Sequence, residues 1–81
     1  MIYTVEIEYD YDPTTLLIAT GSLKTAIKAM NAEISRNYFG DAIFIAEWSR
    51  GTLGKHYRIR DYNRDGKLLT MEELESSETW K

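Results

Sequence analysis

Cysteine is absent from this chain of 81 residues, and histidine and proline occur once each. Without cysteine the chain forms neither disulfides nor thiolate metal sites, so packing must stabilise it, and the absence suits a reducing compartment. The single histidine, His56, has no neighbouring serine or acid in the sequence that would suggest a catalytic triad. No glycine-rich phosphate loop occurs either. These absences argue against an enzyme.

Long apolar runs are also missing. No window approaches the roughly 18 apolar residues that a membrane-spanning helix requires. The first six residues, from Met1 to Glu6, do not combine a basic leader with an apolar stretch. We therefore expect no membrane contact and a cytoplasmic location.

The size of the chain favours binding over catalysis. With 43% hydrophobic and 12% aromatic residues, the chain can bury one core, so we expect a single domain over residues 1–81. Such a small domain leaves little room for a cleft that desolvates catalytic groups. Binding to another macromolecule is the function class that this size favours.

The charges are segregated along the chain. The formal net charge is −3, and the acids concentrate at both ends, with four between residues 6 and 12 and four between residues 72 and 78. Between Arg50 and Lys67, six basic residues stand against two acids, a local net charge of +4 with His56 neutral. The acidic ends argue against a general nucleic-acid coat, whereas the middle provides a basic surface.

The first half of the chain predicts a hairpin and a helix. Apolar and polar residues alternate over residues 3–9, and residues 15–20 predict a second, mostly buried strand after a turn. Ser22 is a candidate N-cap for an amphipathic helix that ends near Tyr38, with Gly40 as its C-terminal cap. The apolar stripe of this helix consists of Leu23, Ala26, Ile27, Met30, Ile34 and Tyr38.

The second half predicts three more strands. Residues 41–48 form a dense apolar run typical of a central strand, and residues 55–62 alternate after a glycine-containing loop. A turn at residues 63–66 leads to a last strand from Lys67 to about Met71, followed by an acidic tail at residues 72–81 that is helical or frayed. The order ββαβββ predicts an α+β domain, a single antiparallel sheet of about five strands with one helix packed on one face.

Two basic patches are candidate contact surfaces. In the strand at residues 55–62, Tyr57 and Ile59 point to one face of the sheet, and basic and aromatic side chains point to the other. That composition is typical of interface hot spots and nucleic-acid platforms. The same alternation also solvates the outer face of a one-sided sheet. The outer surface of the helix is the second patch. The candidate partner-binding residues are Trp48, Arg50, His56, Arg58, Arg60 and Tyr62 on the sheet and Lys24, Lys28 and Arg36 on the helix.

Residues 61–72 satisfy the pattern D-x-[DN]-x-[DN]-G-x₅-E and resemble an EF-hand calcium loop. That resemblance implies calcium ligands from the side chains of Asp61, Asn63, Asp65 and Glu72 and the carbonyl of Lys67. The flanks differ from the family, because a strand pattern stands where an entering helix is required and no second loop is present. Asn, Asp and Gly are also the residues of a tight hairpin. We expect a hairpin turn and no cofactor, with calcium binding as the alternative.

The element order, the capped helix start at residues 22–30 and the closing segments at residues 57–59 and 65–67 resemble small phage-encoded inhibitors of the anti-CRISPR type. The likeness covers about residues 16–71. It implies a viral, non-catalytic protein in the host cytoplasm that occludes a nucleic-acid-binding or partner-binding surface of a host protein or protein–nucleic-acid complex. A nucleic-acid-binding module that uses the basic sheet face is a third interpretation, which the acidic ends oppose.

Overall fold

The computed structural model describes residues 1–36, 40–60 and 65–81. Its elements in chain order are β1 (Ile2–Glu8), β2 (Thr15–Thr20), α1 (Leu23–Ser35), β3 (Ala42–Ser49), β4 (Thr52–Ile59) and α2 (Met71–Ser76). The strands form one antiparallel sheet in the order β2-β1-β3-β4. The α+β class and the antiparallel sheet are confirmed. The expected five strands in the order ββαβββ are wrong, since the described residues form four strands and two helices.

The first helix begins at the predicted position. The Ser22 hydroxyl accepts a hydrogen bond from the backbone N–H of Thr25 at 3.2 Å, which satisfies a donor of the first turn. The helix ends at Ser35 with Arg36 as its C-cap, so the predicted cap at Gly40 is wrong. Gly40 instead has a φ of 74° in the segment before β3, and Tyr38 lies outside the described residues.

One face of the sheet forms the core together with α1. Ala26, Met30 and Ile34 are fully buried along one side of the helix. They pack in one cluster with alternate residues of the strands, Val5, Ile43, Ile45 and Ile59. The apolar side of the helix therefore packs against the apolar face of the sheet in a single layer.

The turn between β3 and β4 is shorter than expected. Arg50 and Gly51 have φ values of 53° and 78°, the left-handed conformation that suits the twist of a two-residue hairpin. As a result β4 begins at Thr52, three residues before the predicted strand. Gly54 lies inside β4 near an irregularity in its pairing with β3.

The predicted strand from Lys67 to Met71 is wrong. Asp65 and Gly66 turn the chain with φ values of 52° and 76°, residues 67–70 belong to no strand, and α2 comes next. The backbone of Leu69 is bonded instead by the Asn31 side chain of α1. Its Nδ2 donates to the Leu69 carbonyl at 3.0 Å, and its Oδ1 accepts from the Leu69 N–H at 2.7 Å. The side-chain amide of Asn31 thus supplies the hydrogen bonds to the Leu69 backbone that a neighbouring strand would otherwise make.

The C-terminal segment is integrated into the core. Thr70 caps α2, since its hydroxyl accepts a hydrogen bond from the N–H of Glu73 at 3.1 Å. Leu69, Leu74 and Trp80 are buried in the same cluster as α1, so both helices lie on one face of the sheet. In the described part of the chain, neither helix is long and apolar enough to cross a bilayer.

Candidate functional site

The sheet face opposite α1 is not covered by any described element, and we call it the open face. Strand register assigns its side chains, because alternate residues of each strand point away from the core. Its residues are Ile2, Thr4, Glu6 and Glu8 of β1, Leu16 and Ala19 of β2, Ala42, Phe44, Ala46 and Trp48 of β3, and Leu53, His56 and Arg58 of β4.

Phe44 lies at the centre of the open face between two β4 side chains. It pairs directly with Arg58 in the register, and the guanidinium carbon of Arg58 lies 4.8 Å from the centre of its ring. The His56 ring is 5.7 Å away, centre to centre, and tilted by 42°. A cation over an aromatic face at an exposed site contributes about 0.5–1 kcal/mol. The three side chains therefore form an ordered row.

An ion pair holds Arg58 in this position. Its Nε donates to Oε1 of Glu8 at 2.5 Å, and its Nη2 donates to Oε2 at 3.3 Å. The side chains of Arg58 and Glu8 are 44% and 32% exposed, so solvent screens the pair and its contribution to stability is about 0.2–1 kcal/mol. Its larger effect is to neutralise the Arg58 charge and to fix the guanidinium plane.

Trp48 occupies the other end of the open face. Its indole N–H donates to Oγ1 of Thr4 on β1 at 2.8 Å, which satisfies the polar group and leaves the ring as apolar surface. Ala46, between Trp48 and Phe44 on the same face, is fully buried. Its cross-strand neighbours on this face are Thr4, which the Trp48 indole bonds, and His56.

A shallow pocket of about 280 Å³ adjoins the row where β1 and β4 end and β3 begins. Its lining residues are Glu8, Tyr9, Asp10, Asp41, Ala42, Arg58 and Arg60. The Asp41 carboxylate accepts a hydrogen bond from the Asp10 backbone N–H at 2.6 Å. The lining brings carboxylate and guanidinium groups together at one opening, where they can bind a charged side chain.

The structure brings together part of the predicted sheet patch. Trp48, His56 and Arg58 share the open face, and Arg60 lies just beyond β4 at the adjoining pocket. Arg50 is exposed in the turn between β3 and β4. Tyr62 lies outside the described residues.

The predicted helix patch lies on a different side of the molecule. Lys24 and Lys28 are exposed one turn apart on α1. The third member, Arg36, donates to the Glu33 carboxylate at 3.0 Å, so that pair leaves little free positive charge at the end of the helix. Because α1 covers the core face of the sheet, this patch cannot act together with the open face on a flat partner.

The EF-hand-like segment is only partly described. Asp61 and Asn63 lie outside the described residues, Asp65 is exposed in the turn, and Glu72 is exposed in the first turn of α2. Lys67 and Glu72 line a shallow pocket of about 440 Å³. A strand precedes the segment, and α2 begins within its last two residues. Within residues 1–36, 40–60 and 65–81, no group of three or more metal-ligating side chains comes together.

Sequence reasoning missed the central residue of the open face. Phe44 lies in the apolar run of residues 41–48, which predicts a central strand without telling which side chains face the helix. In the structure Ile43 and Ile45 point toward the core, and Phe44 points to the open face. The alternation of small and large residues from Ala42 to Trp48 is the signal that could have found it. The contact between Glu8 and Arg58 spans 50 residues and depends on strand order, so local spacing does not reveal it.

Comparison of the chain with protein-family models, with curated proteins and with solved structures gave no match.

Proposed function

We propose that this protein is a non-catalytic binding protein that docks on a partner protein through the open face. The observation that carries the proposal is the ordered row in which His56 and Arg58 flank Phe44 on a sheet face that no described element covers. Arginine and aromatic side chains dominate binding energy at protein interfaces. Because ion pairing and stacking already order the row, little side-chain entropy is lost on binding.

The charges favour a protein partner over a nucleic acid. Arg58 is engaged by Glu8, and Glu6 lies beside Phe44 on the same face. A phosphate approaching Arg58 would meet the Glu8 carboxylate that is already bonded to it and the Glu6 carboxylate on the same face, and like charges repel. A protein surface with apolar side chains and a basic residue opposite Glu6 meets no such repulsion.

The resemblance to phage-encoded inhibitors narrows the proposal to occlusion of a host protein's partner-binding surface in the host cytoplasm. The dimensions of the molecule support it. Its accessible surface is 5326 Å², and an interface of standard size would cover roughly 800 Å² of it. A rigid face of that size can block a surface without any chemical step.

Affinity capture with the immobilised protein tests the proposal. Proteins retained from a nuclease-treated bacterial lysate are identified and purified, and their affinity is then measured by calorimetry for Phe44→Ala and for the helix variant Lys24→Glu/Lys28→Glu. We expect Phe44→Ala to weaken binding by about 2 kcal/mol, as at a hot spot, and the helix variant to bind normally. Melting curves verify that both variants fold. Retained affinity in Phe44→Ala, or loss only in the helix variant, contradicts the proposal.

A calcium-binding module is a second candidate, favoured by α2. EF-hand loops continue into a helix, and α2 begins at Met71 within the matching segment. It ranks second because β4 precedes the loop where an EF-hand has a helix. Calorimetric titration of the metal-free protein decides: submillimolar calcium affinity abolished by Asp65→Ala and kept by the control Glu75→Gln establishes the module. Absence of binding heat rejects it.

A further inference from the structure

The two edges of the sheet differ in how they are protected. The edge formed by β4 carries the charged residues Lys55 and Arg58, and the chain end covers part of it. There the N–H of His56 donates to the Thr79 carbonyl at 3.1 Å, and the Thr79 hydroxyl donates to the His56 carbonyl. Charged side chains, covering segments and β-bulges are means by which a sheet edge avoids pairing with other strands.

The other edge, formed by β2, has no charged side chain and, within the described residues, no covering segment, although the strand carries a bulge at Leu17. The strand Thr15–Thr20 contains no charged residue, no proline and no glycine. Within the described residues no backbone hydrogen bond reaches its outer side. Leu16 is 55% exposed on the open face, and Leu17 and Ile18 are only partly buried. An edge of this composition is a template for another strand.

A bulge gives β2 a symmetric pattern of side-chain directions. Ile18 pairs with Val5 and Leu16 with Glu6, so Leu17 is the extra residue. Leu17 and Ile18 both pack against the core, Leu16 and Ala19 both face the open side, and the terminal threonines both lie on the core side. The sequence of faces to which the side chains point is therefore the same in both directions along the strand, and its centre of symmetry lies between residues 17 and 18.

We propose that the protein forms a two-fold symmetric dimer in which β2 pairs antiparallel with β2 of a second copy. Centring the pairing between Leu17 and Ile18 places Leu16 of each copy opposite Ala19 of the other, and each threonine opposite a threonine. In this register every side chain meets one that points to the same face, as a continuous sheet requires. Without the bulge, side chains would alternate strictly along β2, and this register would pair residues that point to different faces of the sheet.

The second copy is the occupant that this edge fits best. An antiparallel self-pairing is two-fold symmetric, and because β2 is uncharged it brings no like charges together across the axis. The product is an eight-stranded sheet with two open faces side by side. This dimer does not depend on the identity of the partner that the open face binds.

Analytical ultracentrifugation from about 10 μM to about 1 mM tests the dimer with a matched pair of variants. Leu16→Lys places a charge on the β2 edge beside Glu6 of its own chain, which keeps the monomer stable. Leu53→Lys replaces a leucine that is 43% exposed on β4, away from this edge. We expect a dimer in the wild type, a dimer dissociation constant at least about tenfold higher in Leu16→Lys, and no change in Leu53→Lys.

A charge pair tests the register. Ala19→Glu alone should weaken association, whereas Leu16→Lys/Ala19→Glu in one chain should restore it, because the two introduced charges face each other across the axis in both copies. A wild-type monomer throughout the concentration range overturns the proposal. So does a dimer that Leu16→Lys leaves intact, or a double variant that remains monomeric while its circular dichroism is that of the folded protein.

Discussion

Among single residues, Asn31 joins two distant parts of the fold through its side-chain amide. Its partly buried amide bonds both the N–H and the carbonyl of Leu69, at 2.7 and 3.0 Å, and thereby fastens the segment before α2 to α1. Asn31→Ala leaves both backbone groups without these partners, and we expect the free energy of unfolding to fall by about 1–3 kcal/mol. Urea denaturation measures the loss. Lys28→Ala, on the exposed side of the same helix, is the control and should change stability little.

Tyr3 gives the protein a specific response to alkali. Partial burial and the neighbouring, hydrogen-bonded Glu47 carboxylate raise the pKa of the Tyr3 phenol above its ordinary value near 10. Because the folded state holds this proton more tightly than the unfolded state, the resulting stability is complete below about pH 10 and is lost as the pH rises through the raised pKa. Chemical denaturation is measured from about pH 8 to about pH 11, on both sides of the ordinary tyrosine pKa. The free energy of unfolding should fall less over this range in Tyr3→Phe than in wild type. Equal losses in the two proteins contradict this.

At the scale of elements, Gly40 and Gly51 allow the cost of a left-handed backbone to be compared with the cost of a steric clash. Gly40 and Gly51 have nearly equal φ values, 74° and 78°, so alanine at either position adopts a left-handed backbone at a cost of about 1–2 kcal/mol. A Cβ at Gly40 would also lie 2.6 Å from a ring carbon of Tyr9, whereas nothing lies within 4 Å at Gly51. We expect Gly40→Ala to destabilise the protein clearly more than Gly51→Ala. Thermal melts of the two variants compare them directly, and equal losses would show that the Tyr9 ring moves aside freely.

The helix shows how far an element can be predicted from local pattern. Ser22 as N-cap and a stripe of apolar residues predicted α1 correctly at its N-terminus, because capping and periodicity are local properties. The apolar stripe did not predict which of its residues would be most deeply buried. Ala26, Met30 and Ile34 are fully buried, while Leu23 and Ile27 are only partly covered, since the position of the helix across the sheet decides which side of the stripe meets the core.

At the scale of the whole molecule, the chain end closes the core. Trp80 is 5% exposed next to the last residue and packs in the same cluster as Leu74 of α2. Trp80→Ala should lower the free energy of unfolding by about 3–5 kcal/mol, most of the stability of a small domain. Met71→Ala, at a side chain that is 41% exposed, is the control in the same segment. Urea denaturation that finds Trp80→Ala as stable as this control would mean that the chain end is detached in solution.

The sequence by itself determined the features that neighbouring residues decide. Alternation specified β1, the N-cap specified the start of α1, and the left-handed turn residues Asp65 and Gly66 bend the chain where expected. The cap of α2 is equally local, since the Thr70 hydroxyl bonds the N–H of Glu73 three residues later. Each of these features depends on interactions within a few residues, so the spacing of residue types carries the information.

Only the tertiary structure decided the course of the chain after its last turn and the membership of the open face. The segment after Gly66 has strand propensity, but the Asn31 amide, 38 residues away from Leu69, bonds its backbone on the helix side of the sheet and leaves no sheet position for it. Phe44 contacts Arg58 through the pairing of β3 with β4, and Glu8 reaches Arg58 from 50 residues away in the chain. Strand order and register create both contacts, and since pairing joins residues distant in the chain, no local pattern encodes them.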